Sequence, residues 1–269
     1  MFGQAPYLLL LGFSSLLSLG IAAYAFFHRK SPGSFPLMCM ILLGFLCSLS
    51  VMLEVSEQAI AWKRFWFHVR IACCYLLPVA ALALSLKVSG IENLYNRKWL
   101  VLASLFPAAI AVFVLTNESH RLIHADEVVR TVDGFFYLKA VHAPLAWVGI
   151  GYSYALVLVS LCVLVISHMR SPYPFRRQYL FFGMSVLLPS GVILADVLNW
   201  NPYGPFLTTP LIILIGGIGF SIGLFRYHLL RIWPIARYRV FEHIRHGIMI
   251  TDPDGRLVDV NPEGVRILK

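Results

Sequence analysis

The feature that most constrains this chain is a series of seven long apolar stretches. A helix needs about 20 mostly apolar residues to cross the hydrocarbon core of a bilayer. The chain is 59% hydrophobic and only 13% charged, whereas soluble domains are about 25% charged. We therefore predict an all-α membrane protein, a seven-transmembrane helix bundle, whose spans are Leu8–Phe27, Leu37–Val55, Phe65–Leu86, Trp99–Leu115, Trp147–Ser167, Leu180–Leu198 and Thr208–Phe225.

The positive charges are divided unequally between the two sides of this bundle. If the loops alternate, most of the 22 lysine and arginine residues fall on the side of the C-terminal tail. By the positive-inside rule, the N-terminus is then outside and the tail is cytoplasmic. We interpret the net charge of +9 as a topology signal that also attracts anionic lipid of the bilayer. It therefore does not indicate a nucleic-acid partner.

The segment after the seventh stretch has the pattern of a connector. Pro234 breaks or kinks the helix that leaves the membrane. Beyond it, Val240, Phe241 and Ile244 fall on one helical face, which predicts a short amphipathic helix. We expect this cytoplasmic connector helix over residues 231–246, ending at Gly247, a residue favoured just beyond a helix C-terminus.

The last 23 residues, 247–269, have the pattern of a small soluble unit. "GIMIT" and "RLVDV" are predicted strands, and "DPDG" between them is a type I turn signal. Asn261, Pro262 and Glu263 then form a helix N-cap, a first-turn proline and a first-turn acid. The series resembles the start of a PAS domain, here a truncated PAS-like β-hairpin that is too short to bury a core of its own.

A series of motifs runs from the third span onward. It consists of Thr116, Asn117 and His120 in "TNESHRLIH", then "GYSYALVL", "RRQYL", Pro189, "TTP" and the connector into the PAS-like segment. The order of these motifs resembles a known family, the seven-transmembrane N-terminal region of bacterial sensor histidine kinases and diguanylate cyclases. The resemblance implies a sensor domain over residues 1–230 of a bacterial inner-membrane protein, with an output domain after the PAS start. A histidine kinase is the expected output, and a diguanylate cyclase is the alternative.

Arg70 lies inside the third span, where an arginine is costly without a partner. Glu54 and Glu57, one turn apart at the outer end of the second span, are the nearest acidic residues in sequence. Two roles stay open for this charge: an ion pair that fixes two helices, and a contact to a ligand. The roles are compatible, because a ligand can replace one partner.

Further polar and aromatic residues concentrate toward the outer side. Tryptophans near the outer rim are typical of interfacial belts, and an aromatic wall for a ligand is the alternative. The sequence thus predicts an outer pocket for a small extracellular ligand. Its candidate residues are Glu54, Glu57, Trp66, Arg70, Asn117, His120, Tyr152 and Asp196.

His120 and His124 are four residues apart, so a helix would place them on one face. Asp126 and Glu127 follow them, and two histidines with acids can hold a metal. Because no third ligand is clearly spaced, we assign neither a metal nor a cofactor. The five cysteines all fall inside spans, without metal-site spacing to a histidine.

Other functions of a helix bundle fit less well. A retinal protein needs a lysine inside a span, and every lysine lies at a span end, in a loop or in the tail. A small-molecule transporter or channel remains an alternative, although the repeats and paired broken helices of many transporters are not evident. No catalytic set is recognisable, so this segment is expected not to be an enzyme by itself.

Transmission to the output is predicted to use the seventh span. Gly216, Gly217, Gly219 and Gly223 in it permit close helix approach. The apolar connector face has too few neighbours in one chain to be buried, whereas two connectors side by side would bury each other. We therefore predict a parallel homodimer, with Pro234, Phe241 and Ile244 as the coupling residues.

Overall fold

The computed structural model describes residues 4–27, 33–90, 97–132, 135–171, 173–200, 244, 246–251 and 257–267. The chain forms two compact units, Met1–Leu229 and Leu230–Lys269. The described elements of the first unit are α1 (Gln4–Phe27), α2 (Ser34–Ser56), α3 (Ile60–Val88), α4 (Arg97–Leu115), α5 (Asn117–His120), β1 (His124–Val132), β2 (Phe135–His142), α6 (Pro144–Arg170) and α7 (Tyr173–Val197).

Six helices of the described part are long and apolar enough to cross a membrane: α1, α2, α3, α4, α6 and α7. They confirm the first six predicted spans, because each predicted stretch falls on one of them. The seventh stretch, Thr208–Phe225, lies outside the described residues.

The central helix of the first unit is α3, which packs against α2, α4 and α6. A buried apolar cluster that includes Tyr75, Ile110, Val114 and Ala146 joins α3, α4 and α6. Gly149 lets α6 approach α3 closely, since a Cβ at this position would lie 2.9 Å from Tyr75 Cε1. The glycine at this crossing is therefore a packing requirement.

Buried serines link neighbouring helices. Ser14 and Ser15 of α1 both lie 3.1 Å from Ser48 of α2, Oγ to Oγ. Ser85 of α3 and Ser160 of α6 form a similar pair, 2.5 Å apart. Such interhelical hydrogen bonds typically stabilise membrane bundles by about 0.6 kcal/mol each.

The connection between the fourth and fifth predicted spans is where the all-α prediction is wrong. After the single turn of α5, strands β1 and β2 pair antiparallel, from His124 opposite His142 to Val132 opposite Phe135. Leu138 of β2 is 1% exposed, so the hairpin packs one side onto the bundle. It contacts α2, α3 and α6 through β2.

The second unit contains β3 (Met249–Thr251), β4 (Leu257–Val260) and α8 (Pro262–Ile267), with β3 antiparallel to β4. Asn261 Oδ1 accepts hydrogen bonds from the backbone N–H groups of Gly264 and Ile248, both at 2.8 Å. The predicted strands and the asparagine N-cap are thus confirmed. The predicted turn at residues 252–255 lies outside the described residues.

Candidate functional site

An ion pair between α2 and α3 satisfies the charge of Arg70. Arg70 Nη2 lies 3.2 Å from Glu54 Oε2, and the two residues are 7% and 2% exposed. Glu54 Oε1 accepts a hydrogen bond from the Leu138 backbone N–H at 3.1 Å. Glu54 therefore ties the hairpin to both helices and is, of the two acidic residues that the sequence offered, the partner of Arg70. Glu57 instead lies at the C-terminal cap of α2, half-buried.

A lysine reinforces this junction. Lys63 Nζ donates to the Glu54 carbonyl oxygen at 2.5 Å and to the Phe136 carbonyl oxygen at 2.9 Å. Lys63 is buried, with 4% of the residue exposed. The end of α2, the first turns of α3 and strand β2 are therefore held together by two cations and one carboxylate.

A cavity of about 330 Å³ lies inside the bundle, beside this junction. Its described wall comes from α1, α2, α3, β2, α6 and α7 and is mostly aliphatic and aromatic. Along α3 the wall extends from Phe67 to Ala81, a distance of about 21 Å at the rise of a helix. The polar residues of the wall include Arg70, Lys139, His142, Ser153, Tyr154 and Asp196.

Three wall residues carry buried polar atoms without a hydrogen-bond partner in the described part of the chain: Arg70 Nε, His142 Nδ1 and Ser153 Oγ. Ser153 is 8% exposed. Leaving such a group unsatisfied costs about 1–3 kcal/mol. By contrast, Tyr154 Oη donates to the Ser190 carbonyl oxygen at 2.8 Å. Arg70 Nε and Ser153 Oγ are therefore two donors on wall residues that no described group accepts from.

Asn117 and His120, two predicted ligand contacts, organise the chain between α4 and β1. Asn117 Oδ1 accepts from the backbone N–H groups of Ile123 and His124 at 3.1 and 3.0 Å, and its Nδ2 donates to the His124 carbonyl oxygen. His120 Nδ1 accepts from the Leu122 N–H. Its Nε2 is then the protonated nitrogen and donates to Thr116 Oγ1 at 3.1 Å.

The other predicted contacts separate into two groups. Arg70 and Asp196 line the cavity, whereas Trp66 and Tyr152 are not among its wall residues. Trp66 packs edge-on against Phe65, and Tyr152 Oη donates to the Ala103 carbonyl oxygen at 3.0 Å. Asn117, His120 and Glu57 are likewise absent from the wall. The sequence analysis missed Ser153, whose only signal is its place beside Tyr152 and Tyr154 in an apolar helix.

A second polar cluster joins α3 to β1. Glu127 Oε1 lies 2.5 Å from His68 Nε2 and 3.6 Å from His124 Nδ1. Glu127 Oε2 lies 2.8 Å from Arg64 Nε as an ion pair, without the alignment of a hydrogen bond. Arg64 also contacts Glu118 at 3.1 Å. His68 and His124 are 3% and 1% exposed.

Glu127 stays ionised in this cluster. Burial acts to raise its pKa, but contacts with His124 and His68 outweigh burial and lower the pKa well below its usual range. His142, across the hairpin, has a pKa that burial lowers, with His124 and Lys139 adding to the effect. His120 is not part of this cluster: it ends α5, whereas His124 begins β1, so the two histidines do not share one helical face. The chain turns at Arg121, whose φ of 53° separates α5 from β1.

Of the predicted coupling residues, Pro234 and Phe241 lie outside the described residues. Ile244 is half-buried, and its carbonyl oxygen accepts from Asn261 Nδ2 at 3.4 Å. Asn261 Nδ2 also donates to the His246 carbonyl oxygen at 2.8 Å. The end of the connector is therefore attached to the asparagine that begins α8.

The helices and the cavity define a multi-pass membrane protein with a mostly apolar chamber inside its bundle. Residues 10–234 match the family described as the N-terminal 7TM region of histidine kinase. The match covers most of the chain, and the chain belongs to this family. It supports a membrane sensor module. The comparison with curated proteins gave no match.

Proposed function

We propose that this chain is the sensor region of a bacterial inner-membrane histidine kinase and binds a small extracellular ligand in the bundle cavity. The observation that carries the proposal is that three wall residues have buried polar atoms without a partner in the described part of the chain, the donors Arg70 Nε and Ser153 Oγ among them. Ligand sites are mostly apolar chambers with a few convergent polar groups, of about 300–1,000 Å³. A cavity of about 330 Å³ fits a molecule of metabolite size.

The wall chemistry defines the class of ligand. An acceptor such as a carboxylate or carbonyl would receive hydrogen bonds from Arg70 Nε and Ser153 Oγ. The apolar remainder of the wall would bury an aliphatic or aromatic body. We therefore favour a small amphiphilic carbonyl or carboxylate compound over a fully charged ligand.

The direction of entry follows from the charge distribution. With the N-terminus outside, the hairpin and the Arg70 end of the cavity face the exterior. Support comes from the excess of lysine and arginine on the side of the tail. Ligand binding biases signalling only by unequal affinity for two states of the bundle. The seventh span and the connector then relay the change to a PAS pair and the kinase, a diguanylate cyclase being the alternative output.

The proposal is tested by thiol labelling of the full chain in intact cells, with the native cysteines replaced. Ser153→Cys should react with a membrane-impermeant maleimide added outside. Ser160→Cys is the matched control, because Ser160 is 0% exposed and bonded to Ser85. Labelling of Ser153→Cys only in inverted vesicles would contradict the orientation. No labelling from either side would contradict an accessible cavity.

A functional arm completes the test in the full-length receptor. Ser153→Trp should fill the cavity and leave the output insensitive to extracellular conditions. Tyr152→Phe should retain regulation, because Tyr152 is the neighbouring residue on α6 outside the cavity wall. Unchanged regulation in a folded Ser153→Trp receptor would contradict ligand binding at this cavity.

A further inference from the structure

We propose that His68, His124 and Glu127 bind a divalent transition metal ion of the Zn²⁺ class. One ligand atom from each residue lies within 4.8 Å of the others. His68 belongs to α3, whereas His124 and Glu127 belong to β1. The ion would connect the hairpin to the central helix. This site is separate from the bundle cavity, so the inference does not depend on the proposed ligand.

The distances are close to those of a metal site. Zinc–nitrogen and zinc–oxygen bonds of about 2.0–2.2 Å in a tetrahedron place ligand atoms roughly 3.3 Å apart. Glu127 Oε1 lies 2.5 Å from His68 Nε2 and 3.6 Å from His124 Nδ1, on either side of that value. An entering ion therefore needs shifts of less than about 1 Å in these pairs.

His124 supplies an independent reason for a ligand at this position. The residue is 1% exposed, and neither ring nitrogen has a hydrogen-bond partner in the described part of the chain. Buried polar groups are normally satisfied, and each exception calls for an explanation such as an ion or water. A neutral imidazole has one lone pair to donate, and a metal ion would accept it.

Arg64 holds the carboxylate in position for one-oxygen coordination. It lies against Glu127 Oε2 at 2.8 Å, which leaves Oε1 facing the two histidines. Glu118, 3.1 Å from Arg64, offsets part of the positive charge that an ion would add. Outer partners of this kind orient metal ligands and tune their affinity.

The donor set selects the type of metal. Imidazole with a carboxylate suits Zn²⁺, Co²⁺ or Ni²⁺, whereas Mg²⁺ and Ca²⁺ take oxygen ligands. Three protein ligands leave a fourth position for water or another molecule. The hairpin also contributes Leu138, Lys139 and His142 to the cavity wall. A metal-dependent attachment of β1 would therefore affect the wall of the ligand cavity.

The experiment is metal binding to the full chain, purified without a polyhistidine tag and stripped with EDTA. The protein should bind one Zn²⁺ per chain, and Co²⁺ should give the strong visible absorption of a tetrahedral site. X-ray absorption at the zinc edge should count two imidazole ligands. His124→Ala and His68→Ala should each weaken Zn²⁺ binding by at least about 100-fold, since even outer partners account for 10–100-fold.

His120→Ala is the matched control, because His120 is a histidine of the same segment outside the cluster. Its Zn²⁺ affinity should equal that of the unmodified chain. Loss of the single bound ion in His120→Ala, or zinc coordinated by fewer than two imidazoles in the unmodified chain, would overturn the proposal. The absorption measurement needs no variant, so it can still overturn the proposal if His124→Ala misfolds, and His68→Ala then tests which histidines bind. Absence of stoichiometric binding at micromolar free Zn²⁺ would also overturn it.

Discussion

Glu54 and Arg70 join α2 to α3 by a buried ion pair, with 3.2 Å between Glu54 Oε2 and Arg70 Nη2. The same carboxylate accepts the Leu138 N–H through its other oxygen. The pair therefore fixes three elements around the hairpin end of the cavity. One of its members also carries the donor that we assign to a ligand.

Arg70→Met is expected to destabilise the bundle by about 3–5 kcal/mol, because it leaves the Glu54 carboxylate buried and uncompensated. The double variant Glu54→Gln with Arg70→Met should recover much of this loss, since the buried carboxylate that lost its ion-pair partner is then neutral. Thermal unfolding of the chain in detergent measures both. A double variant as unstable as Arg70→Met would show that the uncompensated charge is not the cause.

Asn117→Ala is expected to destabilise the hairpin junction by about 2–3 kcal/mol, because it leaves buried backbone groups at residues 123–124 unsatisfied. Asn117→Asp should cost less, since a carboxylate still accepts from the Ile123 and His124 N–H groups. Amide hydrogen exchange at these two residues is the measurement. Ser119→Ala, at an exposed position of the same turn, is the control and should change stability by under about 0.5 kcal/mol.

The lowered pKa of Glu127 predicts that the free energy of unfolding depends on pH in metal-free buffer. Its pKa is lowered in the folded chain by His124 and His68, despite burial, and Arg64 faces its other oxygen. The folded state therefore binds fewer protons than the unfolded state near the unfolded pKa of about 4.3. Its stabilisation is present above that pH and is lost as the pH falls through the folded pKa.

Unfolding measured between pH 3 and 7 should show this acid loss, and Glu127→Gln should reduce it. Asp126→Asn is the control at the adjacent exposed acid. An identical acid profile in Glu127→Gln and the unmodified chain would contradict the assignment.

Gly149→Ala is expected to destabilise the bundle by about 1–3 kcal/mol, because the new Cβ would lie 2.9 Å from Tyr75 Cε1. Gly151→Ala is the matched control on α6. No atom of the described residues lies within 4 Å of its added Cβ, so it should be neutral or stabilise by up to about 1 kcal/mol. Thermal unfolding compares the two. Equal effects would mean that helix propensity, rather than the contact with Tyr75, decides the outcome.

The sequence predicts well what depends on local pattern. Hydropathy identifies the six spans that the described residues contain, because bilayer thickness fixes the length of an apolar helix. The Asn261 N-cap follows from local turn chemistry. The sequence also contains a hairpin signal, Asp133-Gly134 between two strand-like runs. The apolar context of the neighbouring spans favoured an all-helical reading.

The sites were less predictable because they join distant residues. The sequence indicated Glu54 and Glu57 as possible partners of Arg70, because they lie at the outer end of the second span and Arg70 lies in the third. His68 meets Glu127 only because β1 folds back onto α3, which no spacing in the sequence indicates. Ser153 is distinguished by a buried hydroxyl group without a hydrogen-bond partner in the described part of the chain. This property depends on the six elements that surround the cavity, so the sequence alone does not indicate it.

The last prediction concerns coupling through the connector, where Phe241 and Ile244 are expected to face the same residues of a second chain. Replacing both with Asp places four like charges in a dimer interface that needs apolar burial. In the full-length receptor this should abolish regulation of the output. The cavity is distant in sequence, so ligand affinity should stay within about threefold, a change under 0.7 kcal/mol.

The matched control is Arg239→Asp with His243→Asp, which adds the same acids to the opposite predicted face of the connector. It should retain regulation if the apolar face, rather than the charge of the segment, carries the signal. Disulfide formation by Phe241→Cys, in a chain without its native cysteines, measures the proximity of two connectors directly. Rapid cross-linking is expected between chains in intact membranes. Regulated output from the Phe241/Ile244 double variant, or no cross-link at Phe241→Cys, would contradict a paired connector.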